Sequence, residues 1–332
     1  MVLLRQWSYI QELYTSIKTN CANPRYRMKQ FKYNGSWPVA PTPFTESGNV
    51  DLDGMKRVID CMIDQGADGI CILANFSEQF SLSDDERSTI TKLCMKHVSG
   101  RVPVIVTISH FSTEIAVSRT KNALSLGAEM VMMMPPYHGT LLHASDNQIY
   151  QQFDRVGNIG IPIMLQDAPI SGIDLSVEII VKMIKEIEQL KCVKIECRKA
   201  DTKIKKIIKI AQKSIDGPFG GKEGIDLINE LAAGASGCMS SALLPELIRS
   251  VIISYLNGNL IKAKNMFKTI FPLIEYENRH CGFRAAKVIM KEGGVIKSDY
   301  CRHPIAELHP DKRNYLLELA KNLNLVALHW GK

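Results

Sequence analysis

At 332 residues, 45% hydrophobic and 23% charged, the chain has the composition of a soluble globular protein of one large domain or two small ones. Its net charge of +7 comes from Lys and Arg scattered among acids, with no nucleic-acid motif, so a nucleic-acid partner is excluded. No apolar run approaches about 18 residues, which excludes a membrane-spanning helix.

Residues 1–35 stand apart. They carry Arg5, Lys18, Arg25, Arg27, Lys29 and Lys32 against Glu12 as their only acid. The apolar opening is too short for a secretory signal. The segment reads as a poorly ordered N-terminal extension, with an organelle transit peptide as the other reading of such a composition.

From Trp37 onward, short apolar runs alternate with amphipathic stretches. The runs predict strands at 39–40, 69–73, 104–108, 130–134, 161–166, 193–196, 218–219 and 237–239. Helices are predicted at 52–65, 84–98, 113–125, 146–156, 177–188, 202–213, 224–232 and 243–256. Ser83 and Glu86 make a capping box, and Gly66-Ala67, Gly127-Ala128 and Gly234-Ala235 each close a helix just before a strand. Near-continuous apolar strands between helices signal a parallel sheet covered on both faces, and eight such units close into an α/β (β/α)8 TIM barrel over 36–257. An open doubly wound sheet is the rival, but Pro41-Thr42-Pro43-Phe44 is not its Gly-rich dinucleotide loop. Beyond the barrel, helices at 260–270, 282–291 and 310–322 predict a C-terminal appendage over 258–332, packed on the barrel. The nine cysteines form neither a C-x-x-C pair nor a zinc spacing and mostly sit in apolar runs, which fits a reducing cytoplasm.

Barrel active sites lie at the C-terminal ends of the strands. Val193-Lys194-Ile195-Glu196 ends the sixth, and side chains two apart on a strand share a face, so Lys194 and Glu196 point together. A buried lysine without a tight partner loses charge, and a neutral amine attacks a ketone to form a Schiff base. A carboxylate beside it can move protons on the adjoining carbon. The bland reading is a structural ion pair. Tyr137 follows the fourth strand, 74–78 follow the second, Gln166-Asp167 end the fifth and Ser240-Ser241 the eighth. His110 and His138 have no second ligand at helical spacing, so no metal is expected. Met132-Met133-Met134 reads as barrel packing, and Glu277-Asn278-Arg279 with Arg284 as a salt-bridged interface.

Several stretches carry a family resemblance: VAPTPFTESG at 39–48, GICILANFSEQFSLSDDER at 69–87, RVPVIVTISHFST at 101–113, VMMMPPYHG at 131–139, IPIMLQDAPISG at 161–172, VKIE at 193–196 and ENRHCGFRAAKVIMKEGGVIKSD at 277–299. Together they resemble the dihydrodipicolinate synthase / N-acetylneuraminate lyase superfamily of Schiff-base barrels, over roughly 37–330, and within it the dehydratases of 2-keto-3-deoxy sugar acids. The resemblance implies Lys194 as the Schiff-base lysine, Tyr137 as the proton relay of imine formation and the Asn75, Phe76 and Ser77 loop as the grip on the substrate carboxylate. Glu196 is read as a proton-transfer group from its shared face with Lys194, against a pairing with Arg198 or Lys199. Thr42, Gln166, Gly220 and Ser240 are read as further substrate-binding residues, with core packing the rival for Ser240. The 75–78 loop stands where the superfamily has Gly-x-x-Gly-Glu, with Ala74 and Ser77 at the glycine positions. Leu142 stands five residues after Tyr137, where the reading expects the synthase's arginine, which argues against a second carboxylate-bearing substrate. Gly220-Gly221-Lys222 lacks an expected acid.

What this implies is a cofactor-free hydro-lyase that converts 2-dehydro-3-deoxy-L-arabinonate to 2,5-dioxopentanoate and water in pentose catabolism. Desolvation is expected to leave Lys194 uncharged. The partners implied are the 2-keto sugar acid and further copies of the chain, as a dimer or tetramer. A retro-aldol lyase giving pyruvate and a non-catalytic sugar-acid sensor are the alternatives.

Overall fold

Eight parallel strands form one sheet in the order β1-β8-β7-β6-β5-β4-β3-β2 in a computed structural model that describes residues 31–138 and 142–332. The strands are β1 (Gly35–Ser36), β2 (Ile70–Ile72), β3 (Val104–Thr107), β4 (Met130–Met133), β5 (Ile163–Asp167), β6 (Leu190–Ile195), β7 (Gly217–Gly220) and β8 (Gly237–Cys238). Between them run α1 (Leu52–Asp64), α2 (Asp84–Val98), α3 (Thr113–Ser125), α4 (Asp146–Gly157), α5 (Val177–Glu186), α6 (Ala200–Ala211), α7 (Leu227–Ala232) and α8 (Pro245–Leu256). The expected capping box opens α2, where Ser83 and Glu86 bond each other's backbone N–H.

Closure comes just after β1. Val39 bridges in parallel to Cys71 on one side and to Ser241 on the other. The Ala40 N–H donates to the Cys71 carbonyl at 2.8 Å. The chain is a closed (β/α)8 barrel, as its apolar pattern requires.

Strand alternation divides the apolar side chains into two cores. Val131, Met133, Leu165, Val193 and Ile195 face the helices, while Met130, Met132, Met164, Cys192 and Phe219 fill the barrel. The methionine stripe is therefore packing on both faces of β4.

The regular part of the first strand lies at Gly35–Ser36, upstream of the 39–40 expected. Gly35 has φ +92, and its carbonyl lies so close to Gly237 that a Cβ there would sit 2.0 Å away. A Gly-Ser pair carries no strand signal, because glycine is chosen here for close approach. Tyr33 is buried and its N–H donates to the Asp216 carbonyl at 3.0 Å, so residues 31–35 pack with the barrel and not as an extension. The rest of the expected extension, 1–30, lies outside the described residues.

The C-terminal helices are α9 (Leu260–Tyr276), α10 (Arg284–Glu292) and α11 (Pro310–Leu323), with a π-helical turn at Glu277–Cys281. α9 runs on past Pro272, beyond the end expected at 270. This layer is fastened to the barrel mouth by the Lys287–Glu78 ion pair, whose side chains are both fully buried. Lys287 also donates to the Tyr300 carbonyl at 2.9 Å, and the Arg302 N–H to Glu78 Oε2 at 3.0 Å. Phe44 takes both cations against its ring, Lys287 at 4.4 Å and Arg302 at 4.5 Å.

Candidate active site

Within β6, Cys192 points into the barrel, and two residues on Lys194 does the same. Lys194 is 5% exposed and Glu196 stands just past the strand, with Nζ to Oε1 at 3.1 Å. Three neighbours frame that carboxylate. Gln166, Lys194's register partner on β5, donates its amide to Glu196 Oε2 at 2.7 Å. The Lys222 N–H donates to Oε1 at 3.2 Å. Gly221 lies flat against the side chain, where a Cβ would meet Glu196 Cγ at 2.5 Å.

The charge state of Lys194 differs from the expectation. Burial pulls its pKa down, but Glu196, with Cys71 and Glu223 behind it, outweighs that pull and holds the amine above its ordinary value. Glu196 mirrors this: burial pushes it up, Lys194 draws it down, and the net is below the ordinary carboxylate range. Desolvation alone predicts a neutral amine; the partner two residues away reverses the sign. The resting pair is ammonium and carboxylate.

A second acid enters from the turn after β7. Lys222 and Glu223 both adopt left-handed φ, +48 and +58, which is costly for residues with side chains. That turn carries the acid missing from 220–222: it is the next residue, Glu223. Burial, then the charge of Glu196, push Glu223 up to about 7, against the opposing pull of Asn278, Lys194 and Lys222. The Asn278 amide donates to Glu223 Oε2. Asn278 lies in the π-helical turn beside Glu277, which is 0% exposed. Neither Glu277 nor Asn278 belongs to the salt-bridged interface expected of them. Arg279 does pair with Glu275 at 3.1 Å, while Arg284 bonds the Cys281 and Ala306 carbonyls.

The loop after β2 is a 3-10 turn at Asn75–Ser77. Ser77 Oγ donates to the Ala40 carbonyl at 2.6 Å and accepts the Ala74 N–H at 3.1 Å, while Thr42 Oγ1 donates to the Ser77 carbonyl at 2.8 Å. These two hydroxyls are spent on holding the turn. The Gln79 amide donates to Asn75 Oδ1 at 2.5 Å, and Phe76 sits edge-on to Phe283 at 6.2 Å. As at any helix start, the first N–H groups have no partner within the turn.

Other expected residues fall around the rim. Ser240 Oγ donates to the Ser241 carbonyl at 3.0 Å. Gly220 ends β7 beneath Glu230, whose Oε2 would lie 1.8 Å from a Cβ there; burial pushes that carboxyl up to about 8. Tyr137 lies in a short ribbon after β4, edge-on to Phe80 at 5.7 Å. Burial pushes its phenol up to about 12, against Arg119 and Arg87. Among the described residues no direct hydrogen bond joins Tyr137 to Lys194. His110 accepts the Ser112 N–H at 2.9 Å, and among the described residues no His, Cys, Asp and Glu cluster could hold a metal. The side chains of His138 and Leu142 lie outside the described residues.

Lys194 and Glu196 sit close enough to exchange a proton, and Glu223 supplies a second acid that titrates near neutrality. Such a trio can capture a carbonyl, move a proton on its neighbouring carbon and protonate a leaving group.

The dihydrodipicolinate synthetase family profile matches residues 32–323. The chain is 45% identical over 314 residues to L-2-keto-3-deoxyarabonate dehydratase of Azospirillum brasilense, covering 94% of this chain and 99% of that one. It is 25% identical to 4-hydroxy-tetrahydrodipicolinate synthase of Protochlamydia amoebophila, over 89% of this chain and 97% of the relative. The crystal structure of dihydrodipicolinate synthase from Aquifex aeolicus superposes with a TM-score of 0.82 at 24% identity, covering 88% and 99% of the two chains. The chain belongs to the dihydrodipicolinate synthetase family.

Proposed function

We propose that this protein is a Schiff-base hydro-lyase that dehydrates 2-keto-3-deoxy-L-arabinonate to 2,5-dioxopentanoate. The observation that carries the proposal is the buried Lys194–Glu196 pair at 3.1 Å, set between Gln166 and Glu223 at the barrel mouth. The 45% identity to the dehydratase supports the substrate.

The chemistry follows from the charges. Glu196 takes a proton from Lys194, and the free amine adds to C2 of the keto acid. Glu196 returns that proton to the carbinolamine hydroxyl, which leaves as water and gives the iminium. The cationic nitrogen acidifies C3, and Glu196, again a carboxylate, removes a C3 proton. Glu223 protonates the C4 hydroxyl, which leaves as the second water. A proton then shifts from C5 to C3 and the resulting enol closes to the aldehyde. Hydrolysis of the imine consumes one water, so the net loss is one. Gln166 keeps Glu196 aimed throughout, and the carboxylate of the substrate goes to the N–H groups of the Asn75 turn. Tyr137 lines the mouth in this scheme and the relay passes to Glu196. The enzyme is read as a cytoplasmic dimer or tetramer, in keeping with its family and with the free cysteines among the described residues.

The test is product analysis after incubation with 2-keto-3-deoxy-L-arabinonate. Dioxopentanoate is the expected product. Pyruvate would convert the reading to aldol cleavage, and recovery of unchanged substrate would leave a sensor.

A further inference from the structure

Glu277 is the least satisfied acid near the site. Its side chain is 0% exposed, and neither carboxyl oxygen makes a hydrogen bond of good geometry among the described residues; the nearby Ser241 hydroxyl only partly offsets its burial. A buried carboxylate in that condition costs several kcal/mol unless it keeps a proton. A turn of π helix, a local irregularity often found at functional sites, carries Glu277 together with Asn278, the residue that bonds Glu223. The two acids, far apart in sequence, are thus joined through one turn of backbone.

The groups around the pair define what it can do. Glu223 faces Glu196 and Lys194 from the end of β6, Lys222 from its own turn, Asn278 from the π turn and Cys238 from β8. Glu277 faces Glu223, with the Ser241 hydroxyl after β8 and Cys281 at the end of its own turn. Among the described residues no cation pairs with Glu277, and Arg284 and Lys312 face Cys281 instead. When Glu223 gives up its proton to a departing hydroxyl it becomes a buried carboxylate, while Glu196 holds the proton taken from C3. A proton held beside Asn278 restores Glu223 to the neutral form that burial favours.

We infer that Glu277 is a positioning residue that acts through Glu223, holding a proton which the two carboxyls share, so that Glu223 meets the bound substrate as an acid. This rests on the dehydratase reading and assigns the source of its leaving-group proton. The atoms balance over a turnover: the proton passes from Glu277 to Glu223 as Glu223 protonates the C4 hydroxyl, and after product leaves Glu196 releases the C3 proton to solvent while Glu277 takes one back from solvent. Interacting acids of this kind titrate as a pair, which keeps an acid available above the pH at which either alone would lose it.

The test compares the wild type with Glu277→Gln and Glu277→Asp, using 2-keto-3-deoxy-L-arabinonate for turnover and borohydride with pyruvate for imine formation. Glu277→Gln is expected to leave imine trapping intact and to move the alkaline limb of kcat down by about one pH unit, a tenfold loss at a pH on that limb. Glu277→Asp keeps a titratable acid and is expected to restore the limb. Infrared spectra give a readout free of turnover: a protonated-carboxyl band at neutral pH, diminished in Glu277→Gln. An unmoved limb, a limb moved upward, no loss of band, or a loss of imine trapping in a folded Glu277→Gln would each overturn the proposal. Should Glu277→Gln fail to fold, the Glu277→Asp variant decides, since a carboxyl band identical in wild type and Glu277→Asp overturns the proton store. A wild type that keeps the band but yields no dioxopentanoate would sink the dehydratase reading instead.

Discussion

Gly221→Ala tests the framing of Glu196 with a single methyl group. Gly221 has φ −142 and ψ −139, a backbone that does not need glycine for a left-handed turn. The obstacle is the neighbour: the new Cβ would lie 2.5 Å from Glu196 Cγ, 2.7 Å from Oε1 and 2.8 Å from Cδ, where ordinary contact begins at 3.4 Å. The carboxylate must retreat by roughly 1 Å, a displacement that costs on the order of 100-fold in rate when it misplaces a reacting group. That retreat opens the 3.1 Å approach to Lys194 and the 3.2 Å bond from Lys222. We expect kcat for dehydration to fall about 100-fold, or about 2.7 kcal/mol, with KM little changed. Steady-state turnover and a melting curve on the same preparation make the assay. A folded Gly221→Ala protein with wild-type kcat would refute the claim that glycine is there to seat Glu196.

Two further outcomes follow from the buried charges. Lys287→Met strands Glu78 in a fully buried position, and loss of one partner of such a pair costs about 3–5 kcal/mol. The double variant with Glu78→Gln removes both charges and should recover much of that loss; equal melting points for the single and double variants would contradict this. Stability should also fall as pH rises, because burial pushes Glu246 up to about 7 and Glu230 up to about 8, from an ordinary 4.5. The sign follows from proton binding: the folded state holds these protons more tightly than the unfolded chain. Their contribution is complete below about 4.5 and is lost as pH climbs through 7 to 8, at up to about 1.4 kcal/mol per pH unit for each group. Melting temperatures that stay level or rise from about pH 5 to pH 9 would contradict the assignment.

How far the site can be read from sequence depends on which contacts are local. Lys194 and Glu196 are legible because strand alternation alone puts residues two apart on one face. Their mutual effect is less so: burial by itself argues for a neutral amine, and only the 3.1 Å pairing shows which influence wins. Glu223 and Asn278 are brought together by two irregular backbones, a left-handed turn and a π turn, and neither leaves a periodic signal. The barrel was readable from its apolar strands, whereas β1 was not, since Gly35 is needed for its positive φ and its closeness to Asp68, and Gly237 for its closeness to the Gly35 carbonyl, not for strand propensity. Tyr137 illustrates the limit of a short motif. Its place after β4 could be counted along the chain, but its packing against Phe80 depends on the fold of a separate loop.

Carbonyl capture by Lys194 is open to a direct chemical check, borohydride reduction in the presence of pyruvate followed by peptide mass mapping. One covalent adduct is expected on the peptide carrying Lys194, absent without the keto acid and absent in Lys194→Ala. An unmodified Lys194 peptide, or an adduct that survives Lys194→Ala, would contradict it.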